Sequence, residues 1–171
     1  ADGGAYVLNG KKTFVLGGPS ADAFIVVART SGAAGDAKGI SLFVVEKGAE
    51  GVALQAGRCL DGQRVAELTL TNVKVGKDAL LGAEGDALAV LEAVQTEATV
   101  ALCAEAVGIM ERLYKDTVEY TKGRKQFGVA IAVFQALQHR MVEMFMAYEQ
   151  CKSLLYKAVL SLQDNDPDTA R

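Results

Sequence analysis

The apolar residues of this chain keep two different periods, and the change between them divides it. Up to about residue 82 they come in short runs that alternate or fill both faces, with no helical spacing between them. Residues 5–8 meet Asn9-Gly10, the dipeptide of a two-residue hairpin turn, and residues 12–16 are expected to return beside them. Gly17-Gly18-Pro19 ends that strand. Residues 23–29, apolar on both faces, predict a central strand. A glycine- and alanine-rich loop over 30–38 follows, then a buried strand at 40–45 and a short one at 52–55. Residues 68–75 alternate cleanly, so one face is buried and the other wet. Strands without helices between them predict a mainly antiparallel sandwich or open barrel over residues 1–82.

From about residue 83 the spacing becomes three and four. Asp86 is placed to cap a helix that carries Leu88, Leu91 and Val94. Thr96, Thr99 and Val100 lower helix propensity, which predicts a break there. Leu102, Ala106, Ile109 and Leu113 form one stripe, and Cys103, Val107, Met110 and Tyr114 a second beside it. So wide an apolar face predicts a helix buried between neighbours. From Phe134 through Met141, Met144, Tyr148, Leu155 and Leu162 the helical spacing runs on for roughly eight turns. The run 164–167, with its proline, is expected to stop it. A short connection predicts that the two helices pack antiparallel. The fold class is therefore α+β and multi-domain: an antiparallel β-sandwich or barrel-like domain over 1–82, then long antiparallel helices of a helical bundle over 83–171.

Composition removes several functions. Half of the 171 residues are hydrophobic and the net charge is −3, with a pI of about 5.2, so no basic face for nucleic acid is expected. Three cysteines, Cys59, Cys103 and Cys151, stand far apart, which predicts a reducing, cytoplasmic setting and no disulfide framework. With the single His139, a multi-ligand metal site is not expected either. No signal peptide is visible, and no apolar run is expected to span a bilayer. Starting at Ala1 without an initiator Met, the sequence reads as a piece of something longer.

Candidate chemistry concentrates between the two helices, at Tyr120-Thr121-Lys122-Gly123-Arg124-Lys125-Gln126-Phe127-Gly128, followed by Phe134-Gln135-Ala136-Leu137-Gln138-His139. Arg124 offers a planar fork of donors suited to phosphate, and Gln126 adds a neutral donor and acceptor. Gly123 and Gly128 are expected to let the chain turn on either side. The same cations also suit a plain helix C-terminus, where they neutralise the macrodipole. A second candidate is residues 9–18, where Phe14 at a strand end could cover a flat ring system or could simply be sandwich core. His139, the methionines 141, 144 and 146, and Glu97 with Glu105 read as structural or interface residues. No serine or cysteine stands recognisably beside a base.

An Arg-Lys-Gln-Phe-Gly run ending one long helix, then Phe-Gln-Ala-Leu-Gln opening the next, resembles the acyl-CoA dehydrogenase family. The segments Leu60-Asp61-Gly62-Gln63-Arg64-Val65-Ala66 and Leu80-Leu81-Gly82-Ala83-Glu84-Gly85 are similar to that family's last turn of the β-domain and its link between domains. The resemblance implies FAD as cofactor, an acyl-CoA substrate, an electron-transfer acceptor protein, and a homo- or hetero-oligomer, in this family a tetramer. It implies that Phe14, Val15 and Leu16 lie along the flavin, and that Arg124, Lys125, Gln126, Phe127, Phe134 and Gln135 reach a neighbouring subunit's FAD diphosphate. Thr96 and Thr99 fall where the acyl group would lie. Two departures stand out: Leu16 occupies a position where members often carry Thr or Ser, and Thr99 one where many carry Arg. The family's catalytic Glu lies in helices outside this sequence, so no catalytic residue is assigned. The implied reaction is α,β-dehydrogenation of a CoA thioester, with a catalytically degenerate partner subunit as the alternative.

Overall fold

The computed structural model of the chain describes residues 5–164. It divides into two compact units between Leu91 and Glu92.

In the first unit, β1 (Ala5–Leu16), β5 (Arg64–Gly76) and β4 (Val52–Arg58) form one antiparallel sheet in the order β1-β5-β4. A second antiparallel sheet has the order β2 (Ala23–Arg29), β3 (Ile40–Glu46), β6 (Leu80–Leu81). Their facing sides share one core of Tyr6, Leu8, Phe24, Val26, Phe43, Val45, Leu68, Leu70 and Val73. This is the expected antiparallel sandwich. Phe43 and Val73 are wholly buried, as the inward face of alternating strands requires.

Two β expectations are corrected. Asn9-Gly10 is not a hairpin turn: β1 runs through it as one strand of 12 residues. The partner β5 has 13 residues, enough to pair with both halves, and the register slips at Asn9, opposite which β5 carries the two residues of a bulge, Thr71 and Asn72. Asn9 Oδ1 fastens it by accepting the N–H of Asn72 at 2.8 Å, where Asn72 itself has φ 52°. Nor is β2 a central strand. It lies at the sheet's edge, and Ile25 opposite Val44 leaves an apolar pair exposed on the outer side.

The second unit is helical. α1 (Leu88–Gly123) spans 36 residues and α2 (Gln135–Gln163) 29. Tyr114 packs on both Phe145 and Tyr148, at centroid distances of 5.6 and 5.4 Å, and the Thr121 hydroxyl donates to Met141 Sδ at 3.3 Å. Rising positions on one helix thus meet falling positions on the other, which is the expected antiparallel pair. The stripe of Val107, Met110 and Tyr114 is half-buried, whereas Leu102, Ile109 and Leu113 stay exposed.

Four helical expectations change. α1 is unbroken at Thr96 and Thr99: their propensity penalty is too small to stop a helix of 36 residues, and each hydroxyl donates to the carbonyl four residues back, Glu92 and Gln95, both at 2.8 Å. Asp86 is not the cap: it bridges Ile40, and the helix begins after Ala87, whose carbonyl accepts Leu91 N–H. Gly123 is the last helical residue and not a left-handed turn. By length and composition alone α1 could cross a bilayer, against the expectation that no run could, although a helix packed within a bundle passes the same test. α2 ends where expected, at Asp164, while the proline expected to stop it lies outside the described residues.

Candidate functional site

Two places carry the sequence-derived candidates, one in each unit. On β1 the register slips between Lys12 and Val15, and Phe14 takes up φ 56° within the slip. A bulky residue in the left-handed region is strained by about 1–2 kcal/mol, which makes the position a functional candidate. The bulge turns the ring outward, where it is 65% exposed, so Phe14 is not sandwich core. Beyond it Val15 points inward opposite Ala66, and Leu16 points outward opposite Val65, itself opposite Gly57. The outer side therefore has a cleft of about 420 Å³ beside the ring, lined among others by Thr13, Phe14, Gln55, Gly57, Val65 and Glu67. Gly57 leaves its floor low, and Lys11 neutralises Glu67 at 2.6 Å on that side of the sheet.

The connection between the helices is not the simple glycine hinge the sequence suggested. β7 (Lys125–Gln126) and β8 (Val129–Ala130) form a two-residue hairpin whose turn is Phe127-Gly128, with φ 54° and 80°. Positive φ at both turn positions gives the sharp hairpin twist, and Gly128 adopts it without strain. The hairpin is tied back where Arg124 N–H donates to Tyr120 O and Ile131 N–H to Arg124 O, both at 2.8 Å. Phe127, at the tip, meets Phe134 edge-on at 6.1 Å, and Gln135 opens α2. Of the three cations, Lys122 is held by Glu119 at 2.7 Å, whereas Arg124 and Lys125 form no ion pair among the described residues. The Gln126 amide donates to Lys125 O. Thus Arg124, Lys125, Gln126, Phe127, Phe134 and Gln135 gather on one exposed connection, with two unneutralised charges.

Thr96 and Thr99 lie on one side of α1 near its start, Thr96 half-buried and Thr99 exposed. Their hydroxyl protons are spent on the helix backbone. His139 is exposed, in keeping with a surface role. Among the described residues no group of three or more potential ligands could hold a metal.

Charge is otherwise arranged for structure. The Tyr6 hydroxyl donates to Glu84 Oε2 at 2.8 Å, and that bond, with burial, raises the Tyr6 pKa above its ordinary value. The wholly buried Ser41 accepts Gly85 N–H at 2.8 Å and shares a 2.9 Å bond with Thr30. Between them they fasten residues 84–85, just ahead of α1, to the β-unit. On α1, Lys115 donates to Glu111 at 2.6 Å, lowering the carboxyl's pKa and raising its own.

The sequence matches the acyl-CoA dehydrogenase middle domain over residues 1–73 and the acyl-CoA dehydrogenase C-terminal domain over residues 88–171. It is 34% identical to a short-chain-specific acyl-CoA dehydrogenase of Megasphaera elsdenii over 171 residues, covering 98% of this chain and 44% of that protein. It is 36% identical to an L-prolyl-[peptidyl-carrier protein] dehydrogenase of Serratia sp., covering 91% of this chain and 41% of that one. The solved butyryl-CoA dehydrogenase of Megasphaera elsdenii superposes with a TM-score of 0.88 at 32% identity, over 99% of this chain and 45% of that structure. The chain belongs to the acyl-CoA dehydrogenase family, as parts of its middle and C-terminal domains. It spans less than half the length of these relatives.

Sequence reasoning did not find Gln55, Gly57, Val65 and Glu67 beside Phe14. They reach the cleft only through the β4-β5-β1 register, and the slip that turns Phe14 outward has no sequence signature beyond the lysines before it.

Proposed function

We propose that the protein containing this chain is a cytoplasmic FAD-dependent acyl-CoA dehydrogenase, and that it removes hydrogen across the α,β-carbons of a CoA thioester. The observation that carries the reading is Phe14. A strained backbone turns an aromatic ring out over a shallow cleft of about 420 Å³ with a glycine in its floor, a shape suited to a flat ring system. The residues fit such a group in chemistry as well as in shape. Phe14 and Leu16 supply apolar surface, and Arg124 with Lys125 supplies unneutralised cations suited to a diphosphate of a neighbouring subunit's cofactor. When bound, FAD supplies the hydride acceptor. This chain's own contribution is to hold the ring system and the diphosphate and to keep water off the apolar side. The base that takes the α-proton belongs to the remaining helices.

A second reading is a partner subunit with little catalysis of its own. Leu16 brings no hydroxyl to the cleft, and Thr99 brings no cation to the start of α1. The full-length protein, purified and assayed with a panel of acyl-CoA thioesters and a small dye as electron acceptor, tests both. Yellow protein that bleaches with one thioester supports the dehydrogenase. Colourless, inactive protein that binds FAD only beside another subunit supports the partner.

A further inference from the structure

Phe14 owes its strained place to a one-residue slip of β1 against β5, and the residues on either side fix where that slip falls. Up to Lys12 the pairing keeps one register, with Gly10 opposite Leu70 and Lys12 opposite Leu68; from Val15, opposite Ala66, it has shifted by one. In an unbroken strand inward residues stand two apart, so Phe14 would follow Lys12 to the core-facing side. Here the inward residues are Lys12 and Val15, and both Thr13 and Phe14 are thrown outward between them. Packing holds the downstream end. Val15 lies against the core beside buried Gly18, where a Cβ would stand 3.0 Å from Ala66 and 3.3 Å from Val15, which leaves no room for an aromatic ring in place of Val15. A bond holds the upstream end. Lys12 Nζ donates to Val27 O at 2.8 Å, from one edge strand across to another, since β1 and β2 each lie at the edge of a sheet. With the buried Leu8, Val26 and Leu70, Lys12 lines a crevice of about 400 Å³ between those edges.

We propose that Lys12 is a positioning residue for the flavin ring system: its bond to Val27 keeps the slip at Thr13 and Phe14, and so holds the Phe14 ring at its cleft. The inference rests on the dehydrogenase reading for the identity of that ring system. A slip placed ahead of Lys12 would turn every side chain from Lys12 to Phe14 by one register step. Phe14 would then stand opposite Glu67 in ordinary extended backbone, and Lys12 would face outward, away from Val27. Relief of the strain at Phe14 favours that second register. Lys11 does not oppose it, because its 2.6 Å pair with Glu67 lies on the outer side ahead of either slip. The Lys12 bond is therefore the contact that tells the two registers apart. An edge lysine that serves only to block pairing with other strands would cost stability when lost, without touching a ligand.

The test uses the full-length protein and reads cofactor binding, not turnover. Lys12→Gln, which no longer reaches Val27, should lower FAD affinity by about tenfold in equilibrium dialysis, and Lys12→Arg, which still donates, should keep it. Phe14→Trp supplies a reporter, since the chain holds no tryptophan of its own, and the difference from the parent protein isolates its emission. In that background FAD should quench the added indole. Lys12→Gln should weaken the quenching and, in flavin-free protein, shift the emission maximum. Affinity, quenching and emission that all stay unchanged in Lys12→Gln overturn the inference, whatever the melting temperature does. So does a loss of affinity that Lys12→Arg shares, since the bond is then not its cause. If Lys12→Gln does not fold, Lys12→Met, which keeps the apolar stem, takes its place under the same expectations. A wild type that takes up no FAD overturns the dehydrogenase reading instead, and the flavin-free emission then decides the role of Lys12 by itself.

Discussion

Arg124 separates two roles that its residue type alone leaves open. As a helix-terminal cation it would interact with the last carbonyls of α1, for about 0.3–1 kcal/mol. As a diphosphate ligand it would make charge-assisted hydrogen bonds, whose loss costs about 1.5–3 kcal/mol, or roughly ten- to over a hundredfold in affinity. Its lack of a carboxylate partner among the described residues, while neighbouring Lys122 has one, favours the second role. Arg124→Ala is expected to release FAD from the full-length protein at a tenth or less of the wild-type cofactor affinity, with little change in melting temperature. Equilibrium dialysis against FAD, beside a thermal melt, checks both halves. Unchanged retention with a lowered melting point would leave only the capping role. The residue types at this site were legible from the sequence, because a guanidinium, an amide and two rings in a fixed run are visible as letters. Their conformations were not. Phe14 and Phe127 both sit at positive φ, a state that local sequence disfavours and that only the surrounding strand pairings impose.

At the scale of elements, the connection between α1 and α2 is a hairpin with a strict backbone requirement. Gly128 stands at φ 80°, so Gly128→Val should cost about 1–2 kcal/mol from the left-handed strain, and more if the tip opens. The expected result is a lower melting temperature together with loss of protection of the Ile131 amide in hydrogen exchange. The segment ahead of α1 makes a pH-dependent counterpart. Tyr6 is neutral when it donates to Glu84, and its folded pKa is raised, so the bond's contribution is complete below the ordinary tyrosine value. It is lost as pH rises through the raised value. Tyr6→Phe should therefore lower stability near neutral pH, with the gap to wild type closing in strongly alkaline buffer. Parallel unfolding curves across that range decide it, and a gap that stays constant would sink the linkage. Element types and order were readable from period alone. The errors came where context outweighed a local signal: β5 kept β1 straight through an Asn-Gly pair, and a helix of 36 residues ran on through threonines whose propensity is only modestly lower.

For the whole molecule, surface left over after the chain has folded is informative. Leu102, Ile109 and Leu113 on α1 and Val142, Leu154 and Leu160 on α2 are all exposed, more apolar helix surface than two helices can cover for each other. We propose that further helices and other subunits of the full-length protein cover it, and the proposed function needs those subunits for the cofactor. The flavin side adds a second demand. Leu16 is 60% exposed beside the Phe14 cleft, and a flavin polar atom facing it would lack the bond that Thr or Ser gives, at about 1–3 kcal/mol. Leu16→Thr should therefore raise FAD occupancy measurably. The larger expectation follows from Leu16 and Thr99 together: the full-length protein works as one subunit of a hetero-oligomer, with a partner richer in catalytic residues. Expressed alone it should purify with substoichiometric FAD and little dehydrogenase activity, and co-expression with its partner should restore both. Flavin content by absorbance and mass by sedimentation, measured on both preparations, give the answer. Full occupancy and ordinary turnover from a lone homo-oligomer would end the idea, because a pocket completed by another subunit cannot be complete without it.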